Sequence, residues 1–119
     1  MGATSEDELM LRVLLFSLKT TDIKVTVEAF FDDAGNLIVE GYDIGKTVES
    51  YWGDSDYEYS VTVQPAEVAR LCSLLNIPEG DHAALLSYLQ AHYNTNTCYS
   101  DFRNFLTAHH IVHEGFSWN

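Results

Sequence analysis

The hydrophobic pattern of this 119-residue chain changes its period near Pro65, and this change constrains the fold more than any other feature. Before that residue, apolar and polar side chains alternate, as in residues 23–31, and a period of two is typical of a strand with one solvated face. After it, apolar residues recur at spacings of three and four, which is typical of amphipathic helices. Strands followed by helices predict an α+β domain, with an antiparallel sheet of four to five strands and about three helices packed on one face.

The first half of the chain contains four predicted strands, at residues 9–18, 23–31, 37–42 and 57–63. A loop at 32–36 joins the second and third strands into an antiparallel hairpin, because Gly35 can adopt the positive φ that such loops need. Residues 46–52 could form one or two helical turns. The apolar tail at 111–118 predicts a last strand, which we expect to pair with another strand of the sheet.

The second half of the chain predicts three helices. Pro65 occupies a first helical position, and Glu67 in the same turn is favourable at the positive end of the helix dipole. We expect Asp81 to cap the second helix, whose inward residues are Leu85, Leu86, Tyr88, Leu89 and His92. Ser100 or Asp101 is expected to cap the third helix, whose inward residues are Phe102, Phe105, Leu106 and His109.

Charge and length restrict the class of protein. The chain has 6 Lys+Arg against 18 Asp+Glu, and its formal net charge of −12 argues against direct binding to nucleic acid, since phosphate contacts need a basic surface. No run approaches the roughly 20 apolar residues of a membrane span, and the acidic residues 1–8 do not resemble a signal peptide. We therefore expect a single cytoplasmic domain over residues 1–119. Its acidic surface favours a monomer or at most a weak homodimer.

The histidines and acidic residues form no recognisable metal motif. His109 and His110 are neighbours in the sequence and point in different directions on a helix, so at most one of them can pair with His113. Residues 54–58 begin like a calcium loop, but the sixth and twelfth positions, which should be Gly and Glu, are Tyr59 and Pro65. We therefore predict no metal ion and no cofactor.

The two cysteines do not indicate catalysis. Cys72 falls on the apolar stripe of the first predicted helix and is expected in the core. Cys98 is expected in a loop, where acidic surroundings raise the pKa of its thiol rather than lower it. No nucleophile motif, phosphate-binding loop or dinucleotide motif is present, so we predict no catalytic residue and no enzyme.

A cluster of aromatic and acidic residues lies in the middle of the chain. Tyr and Trp anchor many interfaces, because they bury a large area and keep a polar tip. An acidic surface also accelerates association with a basic partner. We therefore predict a partner-binding surface within residues 42–59, formed by Asp43, Glu49, Tyr51, Asp54, Asp56, Tyr57, Glu58 and Tyr59. The alternative is that Trp52 and the tyrosines fill the core beneath the helices, and that the acidic residues serve solubility.

The segment Gly45–Tyr59 carries a resemblance to known proteins. It reads GKTVESYWGDSDYEY and resembles the core G-K-x-V-E-x-[FY]-W-G-[DS]-S-D-Y-E-Y of a widespread set of small acidic bacterial proteins, which are mostly uncharacterised. Those proteins also continue into a valine-rich strand and a helical half, and often end in an aromatic segment like residues 116–118. In size, acidity and α+β build they are similar to immunity proteins of bacterial toxin systems. The resemblance implies no catalytic residue.

These observations lead to an expected function and two alternatives. The chain is expected to be a non-enzymatic binding protein, foremost a toxin-neutralising immunity protein that occludes a basic toxin domain. The first alternative is a nucleic-acid mimic that inhibits a DNA-binding protein, which would carry its carboxylates in two spaced rows rather than in one patch. The second is an enzyme with an unfamiliar site, for which a deep pocket that holds His113 and a carboxylate would be evidence.

Overall fold

An antiparallel sheet of five strands is the base of the fold in the computed structural model, which describes residues 12–45 and 56–118. The strands lie side by side in chain order, and each pairs with the next. Their bounds are β1 (Arg12–Lys19), β2 (Ile23–Phe31), β3 (Leu37–Gly45), β4 (Asp56–Val63) and β5 (Glu114–Trp118). The predicted hairpin between the second and third strands is confirmed, and Gly35 in its loop has a φ of 86°.

Three helices follow β4 in the described residues, and the chain then returns to the sheet as β5. The helices are α1 (Pro65–Leu74), α2 (His82–His92) and α3 (Cys98–Ala108). The predicted α+β fold is therefore confirmed. The prediction that the tail pairs with another strand is also confirmed, because β5 pairs antiparallel with β4. No helix in the described ranges is long and apolar enough to cross a membrane.

The core lies between the helices and one face of the sheet. All strand residues that are buried in the described part of the chain have odd numbers: Leu15, Val27, Ala29, Leu37, Val39, Gly41, Val61 and Val63. They pack in one cluster with buried helix residues such as Leu71, Leu85, Phe102 and Leu106. Since successive side chains of a strand point to opposite faces, the even-numbered residues of β2–β5 belong to the other face.

The helix ends agree with the predictions only in part. The predicted cap of α2 is confirmed, because the Asp81 carboxylate accepts a hydrogen bond of 3.1 Å from the backbone N–H of Ala84. The predicted cap of α3 at Ser100 or Asp101 is wrong, because the helix already begins at Cys98. Thr97 occupies its N-cap position without a capping hydrogen bond from its side chain.

Three side chains differ from their predicted environments. Cys98 is not in a loop but is the first residue of α3, where it is buried. His92, predicted to face inward, is exposed and stacks on the Tyr88 ring at 4.0 Å between ring centroids. His109 is also exposed, because α3 ends one residue before it. A helical spacing alone does not decide burial at the ends of short helices, where the sheet no longer lies beneath them.

The two helix starts allow a matched test of capping. Asp81→Ala removes a side-chain acceptor for an N–H group that has no partner within α2, and we expect it to lower the free energy of unfolding by about 1 kcal/mol. Thr97→Ala should cost less, because the Thr97 hydroxyl donates to Asp101 and caps no backbone N–H. Urea denaturation followed by circular dichroism measures both values. Equal losses in the two variants would contradict this account of the caps.

Candidate partner-binding surface

One face of the sheet is not covered by α1–α3, the helices of the described residues. We call it the open face, and it is formed by the even-numbered residues of β2–β5 together with Arg12, Leu14, Ser17 and Lys19 of β1. In β1 the residues on this face change from even-numbered to odd-numbered, because the pairing register with β2 shifts between Leu14 and Phe16. Such a bulge places one extra residue in the strand. The open face therefore crosses all five strands as a continuous surface.

Carboxylates lie close together at the centre of the open face. Glu28 and Glu40 are direct cross-strand partners, and like charges in this arrangement repel each other. The negative charge of Glu28 is compensated by an ion pair with Arg12, whose Nη1 lies 2.8 Å from Oε1 of Glu28. Glu40 and Glu58 have no ion pair within 4.0 Å among the residues that the structure describes. Their negative charges are therefore available to a cation from outside the described part of the chain.

Tyr42 lies beside these carboxylates. Its cross-strand partner is Glu58, and its hydroxyl donates a hydrogen bond of 2.9 Å to Oδ2 of Asp56. This hydrogen bond raises the pKa of Tyr42, and the negative charges of Asp56 and Glu58 raise it further. The phenol therefore stays protonated, and its donor is directed to Asp56. An exposed aromatic ring is thus oriented within the acidic region.

Apolar side chains surround the carboxylates. Leu14 and Phe116 are 46% and 61% exposed, and they lie on the two outer strands. A shallow cavity of about 360 Å³ lies between them, and its walls include Glu28, Glu40, Tyr42 and Glu58. A mixture of apolar and charged groups around a depression is typical of a surface that binds another protein.

The other predicted site residues of the described segments lie on the helix side of the sheet. Asp43, Tyr57 and Tyr59 have odd numbers, and they line a second cavity of about 480 Å³ beside α3. The Tyr59 hydroxyl donates a hydrogen bond of 2.9 Å to Oδ1 of Asp43. The Tyr59 ring also meets the Tyr99 ring edge to face, with 4.8 Å between centroids.

Burial changes the acidity of this hydrogen-bonded pair. It raises the pKa of Asp43, and the hydrogen bond from Tyr59 lowers that pKa in part. Burial also raises the pKa of Tyr59 strongly, and the negative charge of Asp43 adds to the rise. Tyr59 is therefore a permanent hydrogen-bond donor to Asp43 at neutral pH.

The structure thus divides the predicted surface between two faces. Asp56 and Glu58 belong to the open face, whereas Asp43, Tyr57 and Tyr59 line the cavity on the helix side. Glu49, Tyr51 and Asp54 lie outside the described residues, as do the predicted helical turns at 46–52. The role of all eight residues in partner binding stays a prediction.

Sequence reasoning missed two carboxylates of the acidic region. Glu28 and Glu40 are distant from residues 42–59 in the sequence and reach Glu58 only through strand pairing. The alternation of residues 23–31 assigned Glu28 to a solvated face. The register between β2 and β3 was needed to place it opposite Glu40.

Both thiols are buried, and the His113 imidazole lies within hydrogen-bond distance of a backbone carbonyl. Cys72 and Cys98 are buried, as predicted for Cys72, and burial raises the pKa of each thiol. His113 is half-buried, and its Nδ1 lies 2.8 Å from the carbonyl oxygen of Ile111. In residues 12–45 and 56–118, no three His, Cys, Asp or Glu side chains are grouped so that they could hold a metal ion.

The half-buried Asp43 carboxylate predicts a specific pH dependence of stability. Because its pKa in the folded state is raised above 3.8, the folded protein binds this proton more tightly than the unfolded chain does. The carboxylate therefore destabilises the fold increasingly as the pH rises from 3.8 through the folded-state pKa. Across this window, the free energy of unfolding of Asp43→Asn should increase relative to that of the parent protein, as measured by urea denaturation.

Two further variants control this measurement. Asp33→Asn removes the same charge from an exposed loop and is the control for the loss of one negative charge. Tyr59→Phe removes the hydrogen bond that lowers the pKa of Asp43, so it should enlarge the decrease in stability with pH. A difference between Asp43→Asn and the parent protein that is constant with pH would contradict the assignment.

Comparisons of the chain with protein-family models, with curated proteins and with solved structures find no match. The resemblance of the segment Gly45–Tyr59 to small acidic bacterial proteins therefore stays a prediction. The chemistry of the open face and of the cavity on the helix side is therefore the basis on which a function can be inferred.

Proposed function

We propose that this protein is a non-enzymatic binding protein that docks a basic protein partner on the open face of its sheet. Its role is that of a cytoplasmic immunity protein, which occludes a toxin domain. The observation that carries the proposal is a solvated sheet face on which Glu40 and Glu58 lack a cation among the described residues, beside the oriented ring of Tyr42.

Arg12 supports the chemistry of this interaction. Its guanidinium forms an ion pair with Glu28 and also lies over the Phe30 ring, 3.9 Å from the ring centroid. The open face therefore already holds one arginine between a carboxylate and an aromatic ring. An arginine of a partner would find the same two groups in Glu40 or Glu58 and Tyr42, since a guanidinium both pairs with carboxylates and stacks on aromatic rings.

The arrangement of the carboxylates favours a protein partner over mimicry of nucleic acid. Glu28, Glu40 and Glu58 lie on three adjacent strands as one patch, not as two spaced rows. Apolar side chains such as Leu14 and Phe116 flank the patch and are exposed. Exposed apolar groups contribute to the centre of a protein interface, whereas imitation of a phosphate backbone does not require them.

Long-range attraction gives the acidic face a kinetic advantage. An immunity protein has to capture its toxin quickly, and complementary potentials raise association rates steeply at low salt. The basic side chains of the open face, Arg12, Lys19 and Lys24, lie on β1 and β2. The region from β3 to β5 is therefore the part of the open face that would meet the basic surface first.

Charge reversal at the centre of the open face tests the proposal. The partner to use is the product of the reading frame adjacent to this gene, expressed alone and together with this chain. Glu40→Lys with Glu58→Lys should slow association at least about tenfold at low salt, because the complementary potential is lost. The same pair should also flatten the dependence of the rate on ionic strength. Stopped-flow mixing over a series of salt concentrations measures both effects.

A matched control separates the position of the charges from their number. Asp33→Lys with Glu79→Lys changes the net charge by the same amount at exposed sites outside the open face, and it should slow association much less. Asp33, Glu40 and Glu79 are exposed and Glu58 is only partly buried, and such charges contribute little to stability, so both double variants should fold. If the neighbouring product is not toxic, or if both pairs act equally, the proposed function or its surface is wrong.

A further inference from the structure

The cavity beside α3 has a composition unlike that of the open face. Its volume is about 480 Å³, which is within the range of sites that bind small ligands. Its walls include the rings of Tyr57, Tyr59 and Tyr99, one carboxylate from Asp43 and one guanidinium from Arg103. The cavity therefore combines an aromatic wall with one charge of each sign.

Arg103 is held at the β5 side of the cavity. Its guanidinium lies against Gly115 so closely that a Cβ at this position would be 2.5 Å from Nη1. It also lies near the Tyr99 ring, with 5.9 Å between Cζ and the ring centroid. Tyr99 precedes Arg103 by one helical turn, and its hydroxyl donates a hydrogen bond of 2.7 Å to the Ser60 carbonyl oxygen. The absence of a side chain at Gly115 thus gives Arg103 its place above the strand.

Asp43 is held at the β3 side of the cavity. Its carboxylate accepts the hydrogen bond from Tyr59, and the Tyr59 ring covers the backbone of Gly41, its cross-strand partner. A side chain at Gly41 would collide with that ring. The position of Asp43 therefore depends on a second glycine that lets an aromatic ring lie flat on the sheet.

The two charges of the cavity do not neutralise each other. Neither Asp43 nor Arg103 has an ion-pair partner within 4.0 Å in the described part of the chain. Asp43 on β3 lies opposite Tyr57 of β4, whereas Gly115 on β5, which Arg103 lies against, is opposite Val61. Two strand spacings and four residues along β4 therefore separate Asp43 from Gly115, about 16 Å in all. The tyrosine rings keep these two opposite charges apart in one cavity. Such a cavity is complementary to a ligand that carries a positive charge at one end and a negative charge at the other.

We propose that this cavity binds a short peptide with free termini. Its ammonium group faces Asp43, its carboxylate faces Arg103, and its middle residue packs against the tyrosine rings. An extended chain spans about 3.3–3.6 Å per residue, so about five residues match the separation of Asp43 and Gly115, whereas a single amino acid is too short. A guanidinium binds a carboxylate through two parallel hydrogen bonds, and a tyrosine face attracts an ammonium group.

A ligand with a single charge can pair with only one of the two charged residues of the cavity, Asp43 or Arg103. A simple anion would bind near Arg103 and leave the Asp43 carboxylate without a cation. A simple cation would leave Arg103 without an anion, in a cavity where its like charge opposes binding. The raised pKa of Asp43 is consistent with a carboxylate that lacks a cation in the unliganded protein. The cavity lies on the opposite side of the sheet from the open face, so this inference is independent of the proposed function.

The test is a titration of the 119-residue protein with the pentapeptide Ala-Ala-Tyr-Ala-Ala, followed by isothermal calorimetry and by NMR shifts of the backbone amides. We expect binding at millimolar concentration or below, with the largest shifts around Asp43 and along α3. N-acetylation or C-terminal amidation of the peptide should each weaken binding about tenfold, as the loss of one charged contact predicts. The titrations with the free, acetylated and amidated peptides use the unmodified protein, so they do not depend on the folding of a variant.

Variants then assign each terminus to its residue. Arg103→Gln should abolish the effect of C-terminal amidation, and Asp43→Asn should abolish the effect of N-acetylation. Arg12→Gln removes a guanidinium from the open face and should leave peptide binding unchanged. The proposal is overturned if the pentapeptide causes no shifts at millimolar concentration, if only one terminus matters, or if the shifts map to the open face.

Discussion

The alternation of side chains along the strands is the constraint on which the rest of this structure depends. The buried residues of β2–β4 are all odd-numbered and are apolar or glycine, and they form the base of the core. The helices in the described residues follow β4, and they pack on that base because it offers a continuous apolar area to bury. The even-numbered face is therefore left to solvent, and its charges remain hydrated.

The same alternation separates two candidate sites that are adjacent in the sequence. Glu58 and Tyr59 are neighbours in the chain, yet one belongs to the open face and the other lines the cavity. Charge has a different consequence on each side. On the open face, carboxylates repel each other in water and attract a distant cation. In the cavity, burial raises the cost of the isolated Asp43 charge, so a cation from a ligand would have a larger effect there.

Two glycines connect the fold to the chemistry of the cavity. Gly41 and Gly115 lie on β3 and β5, and each allows a larger side chain from a neighbouring element to lie flat on the sheet. Tyr59 covers the first and Arg103 covers the second. Sequence inspection does not reveal this role, because a glycine in a strand equally predicts a bulge or a weakened end. The partner ring or guanidinium is identified only once the register and the helix position are known.

The sequence by itself determined the α+β class, the strand hairpin, the cap of α2 and the placement of Cys72 in the core, because each depends on local periodicity or local hydrogen bonding. It also located an acidic and aromatic segment at residues 42–59. Only the tertiary structure decided which side the described residues of that segment face and which distant residues join them. Glu28 reaches Glu40 through strand register, and Arg103 reaches the cavity through helix packing. Both are long-range contacts, and a pattern of neighbouring residues carries no information about them.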